Sequence, residues 1–170
     1  MKFQKPIAIT ITDFKKVMLI LFLSFSATIC AAQFSVEKGN IPASFSGFKG
    51  TLLIERVHSK GLFNGPGYLD GVNDIMEKRF NKHYKGEFEM VEAEETSKSR
   101  YKDTKNFPFV LQLIFDHHTP DKSTYYYKFN MIDRSTSKEY ETDTYPDSTI
   151  PPYSFINAYA KALGKLRGKE

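Results

Sequence analysis

The sequence predicts one α+β domain in two layers, an antiparallel sheet of about four to five strands with two helices packed on one face. Residues 69–84 and 155–166 place apolar side chains at spacings of three and four, the period of a helix with one buried stripe. Residues 107–116 and 124–133 are continuously apolar or alternate with period two, as strands do. Each helix has a single stripe to bury, so both belong on the same sheet face.

Ahead of that domain lies a segment of another kind. Lys2, Lys5, Lys15 and Lys16 form a basic start, and an apolar run extends from Val17 to Ile29. Small residues come next at Ala31 and Ala32, the pattern of a secretory signal peptide over residues 1–32 cleaved before Gln33. The run falls short of the ~18–20 residues that span a bilayer, and Ser24, Ser26 and Thr28 interrupt it. No integral membrane span is expected once the leader is removed. The protein is therefore expected to be periplasmic or secreted. Cys30 is the only cysteine, and Ile29 just before it is not the small residue that lipoprotein processing takes, which argues against lipid anchoring there.

The leader also dominates the charge. The chain has 24 Lys+Arg against 20 Asp+Glu, a net +4. Three of those four charges belong to the leader, where four lysines face Asp13. The mature chain is near neutral, so nucleic acid is not an expected partner. It is also free of cysteine, which excludes disulfide scaffolds and suits a periplasm.

The domain's elements run in chain order. Residues 33–47, with Gly39 and Pro42, read as a flexible arm, and the domain occupies 48–168. Residues 49–57 (KGTLLIERV) make a central strand, with Leu52 and Ile54 on one face and Leu53 and Val57 on the other. Residues 58–67 are a loop rich in Gly and Pro. The first helix spans 68–84, with Asp70 and Asp74 early and Lys82, His83 and Lys85 late, as the helix dipole favours. Gly86 is a natural residue just past its end. Residues 87–91 (EFEMV) alternate as a half-exposed strand, and 92–106 read as a mobile polar connection with a helical turn near 93–98.

Residues 107–116 (FPFVLQLIFD) are the most apolar strand. Pro120-Asp121 marks a turn, and 124–133 (TYYYKFNMID) return with Tyr125, Tyr127, Phe129 and Met131 on one face. Residues 134–137 turn again into a charged edge strand, 138–144, whose charges oppose edge pairing. A proline-bearing crossover, 145–152, leads to the last helix, 154–167.

Chemistry is sparsely signalled. Asp116, His117, His118 and Asp121 combine imidazole and carboxylate, a set able to hold a divalent metal in a small hydrolase, but their spacing matches no fixed ligand motif. Gly65, Gly67 and Gly71 precede a helix, yet Pro66 removes a donor and the Lys-Ser/Thr pair of a phosphate loop is missing. No nucleophile elbow occurs, and paired carboxylates such as Glu94 and Glu95 lie in polar segments. No cofactor is expected.

The aromatics stand out, with 15 Phe, 10 Tyr and no Trp. Tyr125, Tyr126 and Tyr127 load both faces of one strand, so with Phe129 they mark a core on one side and a contact patch on the other. The last helix is basic, but its apolar stripe suits packing on the sheet better than a membrane surface.

The element order over about residues 48–168 resembles the small periplasmic domains related to the TolB amino-terminal domain and to the CsgG-like outer-membrane proteins. The parallels are TLLIE before a helix, FVLQLIFD leading into YYYKFNMIDRST, a D-x-x-T turn from Asp133 to Thr136, and the closing FINAYAKALGKL helix. The leader ending in Ala-Gln is similar to those of Bacteroidetes envelope proteins. Lys105-Asn106-Phe107-Pro108 departs from the small-residue helix usual before the central strand there. The resemblance implies an envelope role in binding or assembly, with an envelope protein partner or self-association and no catalytic residues. A metal-dependent hydrolase and a glycan or lipid binder are the alternatives.

Overall fold

The computed structural model describes residues 40–57, 66–121, 124–147 and 152–167. The chain divides into two units, Met1–Gln33 and Phe34–Glu170, and every described residue belongs to the second. The stretch read as a leader, with Cys30, and residues 58–65 of the stretch read as a loop, with Gly65, lie outside the described residues.

The fold is α+β. Among the described residues, six strands form one sheet: β1 (Leu52–Glu55), β2 (Phe88–Val91), β3 (Phe109–His118), β4 (Tyr125–Asp133), β5 (Lys138–Glu141) and β6 (Tyr145–Asp147). Two α-helices among those residues accompany it, α1 (Pro66–His83) and α2 (Tyr153–Arg167). The strand order is β2-β1-β3-β4-β5, with β6 also on β4.

The sheet is mixed rather than antiparallel. β1 pairs in parallel with β2, Leu52 opposite Phe88, and in parallel with β3, Leu53 opposite Val110. The physical reason is two crossovers: α1 returns the chain so that β2 lies parallel to β1, and the connection over 92–108 carries it from β2 past β1 so that β3 re-enters in the same direction. That connection is not a free linker. It forms 3-10 turns at Ala93–Ser97 and Ser99–Tyr101, and Tyr101 is buried. Only the β3–β4, β4–β5 and β4–β6 pairs are antiparallel.

A second correction concerns 145–152. Tyr145–Asp147 is a strand, not a crossover, and pairs with Tyr125–Tyr127. β5 and β6 thus line successive stretches of the same edge of β4, and Thr142 bridges them through Phe129, whose N–H donates to Thr142 Oγ1 at 3.0 Å. Pro146 fits there because an edge strand can spare an N–H.

Alternation sorts the side chains as the sheet requires. Leu52 and Ile54, Leu111, and Tyr127, Phe129 and Met131 face the helices and join Val72, Met76, Phe80, Phe155, Ile156, Tyr159 and Leu163 in the main core. Val57 joins this side too, since the chain has left the strand before reaching it. Phe129 stacks on Tyr159 at 4.1 Å and on Phe155 at 4.9 Å between ring centres. Within the stretch read as an arm, Phe45 is 0% exposed and packs on Phe48 and Phe109. Residues 43–48 therefore close one end of the core.

The helices run in parallel. Pro152, just before α2, and Val72, in the first half of α1, line one small pocket, and Arg167 meets Tyr84 at the helix ends. Gly164 lets them approach, because a Cβ there would run into the His83 carbonyl oxygen. His83 Nε2 also lies 2.9 Å from Asn157 Oδ1. Burial, chiefly, holds the His83 imidazole below its usual range.

Candidate functional site

The helices cover one sheet face, so the sheet itself can be reached only on its other face or at its ends. A small second core covers one end of the other face. Tyr101 and Phe107, from the connection over 92–108, pack on Leu53, Val91, Val110 and Ile132. Arg134 fastens this cap by donating to the carbonyls of Phe107 at 2.9 Å and Thr96 at 3.0 Å. Arg100 donates to both Glu89 oxygens, at 3.1 and 2.9 Å, and the Tyr101 hydroxyl donates to Glu89 Oε2 at 2.9 Å. Burial first, and then the bond to Glu89, raise the Tyr101 phenol above its usual range.

Beyond the cap the face turns polar. Strand register brings Glu55, Gln112 and Asn130 side by side from three strands, with Glu139 on a fourth. Gln112 Nε2 donates to Glu55 Oε2 at 2.8 Å. Asn130 Nδ2 donates to Gln112 Oε1 at 3.2 Å and to Glu139 Oε2 at 2.8 Å. Lys128 extends the row with a 2.9 Å ion pair to Glu141. Asn130 is 2% exposed, and its Oδ1 is buried without a hydrogen-bond partner among the described residues. Ile114 and Tyr126, both half-buried, lie further along the same face. The result is a strip with a covered apolar end, a hydrogen-bonded polar row, then an aliphatic and an aromatic side chain. Among the described residues it offers no convergent reactive groups.

The four aromatic candidates separate. Tyr127 and Phe129 are buried in the main core, and Tyr125 packs partly against it. Tyr126 alone takes the opposite face, alternating with its neighbours. The sequence pattern separates the two faces but leaves the polar row unseen. Its members lie on four strands, and only the register aligns them.

For the metal candidates, the backbone of Asp116, His117 and His118 ends β3. His117 lies opposite Tyr126, His118 opposite Tyr125, and the register shifts between Phe115 and His117, so Asp116 is the extra residue of a bulge. Their side chains lie outside the described residues. Asp121 Oδ1 accepts from Thr119 Oγ1 at 2.6 Å within the exposed turn. Among the described residues, no group of three His, Cys, Asp or Glu is placed to hold a metal.

The carboxyl end of β1 is the other natural place for a ligand, because successive connections leave β1 and β2 on opposite faces of the sheet. Asn73 anchors it, accepting from the Val57 N–H at 2.8 Å and donating to the Val57 carbonyl at 3.3 Å. The pocket there is apolar, lined by Val57, Val72, Leu113, Phe115, Tyr127 and Pro152, with a volume of about 10 Å³. That is room for about one water molecule and for neither a lipid chain nor a sugar. No helix of the described residues is long and apolar enough to cross a membrane.

No protein-family model matches the chain, and no curated protein matches it. Among solved structures, it is similar to a substituted PelC dodecamer from Paraburkholderia phytofirmans, with 14% identity, a TM-score of 0.46, and 72% of this chain and 91% of that one covered. A second PelC dodecamer from the same organism gives 17% identity, a TM-score of 0.42, and coverage of 76% and 94%. A DUF330 protein from Xanthomonas campestris gives 11% identity, a TM-score of 0.32, and coverage of 74% and 83%.

Proposed function

We propose that this chain is an exported, noncatalytic domain of a bacterial-type envelope that works by binding or assembly, with the open sheet face as its contact surface. The polar row Glu55–Gln112–Asn130–Glu139 beside Ile114 and Tyr126 carries this reading. Its amide nitrogens and carboxylates are already bonded to one another around the buried Asn130, so its outer members are held in place to meet a partner rather than set to react. The leader over residues 1–32 supports the location.

In-cell crosslinking tests it. A photo-reactive residue at Tyr126 or Ile114 is expected to give a discrete crosslinked product, identified by mass spectrometry, while the same residue at the helix-side position Asp74 gives none. Absence of any specific product from Tyr126 and Ile114 overturns the assignment of this face. Amino-terminal sequencing of the protein from fractionated cells is expected to begin at Gln33.

A further inference from the structure

The carboxyl ends of the two helices form a one-sided charged region. Residues 78–86 (KRFNKHYKG) contain Lys78, Arg79, Lys82 and Lys85 and no acid, and α2 contains Lys161, Lys165 and Arg167 and no acid. Because the helices run in parallel, these stretches end together, with the Gly164 backbone against His83. Lys78, Lys82, Lys85, Lys161 and Lys165 are exposed. Arg79, Lys82 and Lys161 are close enough to act jointly on the His83 ring. Among the described residues, none of Lys78, Arg79, Lys82, Lys85, Lys161 and Lys165 makes an ion pair.

Complementing the helix dipoles accounts for a cation or two in each last turn. It does not account for Lys78 with Lys82, or Lys161 with Lys165. Like charges four residues apart oppose one another along a helix and weaken it. Arg167 is the cation spent on structure, stacked on Phe48 and bonded to Tyr84 and Gly50. The five lysines project from the fold.

We propose that this helix face docks the protein on a lipid surface bearing anionic headgroups. Spread ammonium groups are point charges without the fork geometry that selects one carboxylate, so they match a diffuse negative potential better than a single acidic side chain. The apolar stripe of α2 is consumed by the core, Phe155, Ile156, Tyr159, Ala160 and Leu163 all being buried. Contact is therefore electrostatic and superficial, without insertion. It stands independently of the open-face reading, and it turns that face away from the lipid.

The test is sedimentation of the protein, purified from the cells that make it, with vesicles of phosphatidylcholine alone or with about one third phosphatidylglycerol. Binding is expected only to the anionic vesicles, and it is lost between about 0.05 and 0.5 M salt. Lys82→Glu, Lys161→Glu and Lys165→Glu together are expected to weaken it on the order of a hundredfold or more, at about fivefold per lysine removed. Lys102→Glu, on another surface, is expected to leave it unchanged. A thermal melt of each variant confirms that the fold is intact. Equal binding to both vesicle types, or no effect of the triple substitution, overturns the proposal. Retention on a polyglutamate column with no vesicle binding also overturns it, in favour of an acidic protein partner.

Discussion

Arg167, the last residue of α2, donates from Nη1 to the Tyr84 hydroxyl at 2.9 Å just past the end of α1. The same guanidinium reaches the Gly50 carbonyl at 3.2 Å and lies 4.5 Å from the centre of the Phe48 ring. One side chain thus ties both helix ends to the entry of β1. Arg167→Met, which keeps much of the length and removes the charge, is expected to cost about 1.5–3 kcal/mol by denaturant titration.

Burial of Tyr84 at this junction sets an alkaline limit. Burial pushes the Tyr84 phenol up to about 12, against the opposing pull of Arg167. A raised phenol keeps its proton in the fold. The stability this gives is complete below the ordinary value of 10.0 and is lost as pH rises from there through about 12. Burial raises Tyr159 as well. Tyr84→Phe is expected to flatten part of the fall in stability above pH 10.0, read from melts across that range.

Gly164→Ala should act through crowding. The added methyl group meets the His83 carbonyl oxygen, a backbone atom that cannot swing aside. A loss of about 1–3 kcal/mol is expected, with the denaturant slope unchanged.

Ser137 offers the opposite sign. It holds φ at 56° in the turn between β4 and β5, a left-handed conformation that strains a residue with a Cβ. Ser137→Gly is expected to raise the thermal midpoint, by about 0.5–1 kcal/mol of stability.

Phe129→Ala removes the ring shared by Phe155 and Tyr159. With the site fully buried, a loss of about 3–5 kcal/mol is expected in the same titration. A loss under about 1 kcal/mol would show that this stack is not central to the core.

Period-two alternation places Tyr125, Tyr127, Phe129 and Met131 together on the core side, and the structure agrees. The spacings of three and four likewise pick out both helix stripes. Strand direction was not legible. The connection over 92–108 has Tyr101 and Phe107 as its buried anchors, too few and too far apart to announce themselves in polar sequence. β6 was hidden for a different reason. Its Pro146 reads as a break, yet it is tolerated beside Tyr126 because it lies at an edge. The polar row belongs to tertiary register, which no local pattern encodes.

Parallel pairing of β1 on both flanks has a consequence in time. Leu53 finds its two neighbours, Glu89 and Val110, only after long intervening stretches have been made. The β1 strand thus has no sheet partner until the chain has been made as far as β2, and lacks its second until β3. Such wiring slows folding and keeps the growing chain unstructured for longer, the form in which a polypeptide is most easily threaded through a narrow channel.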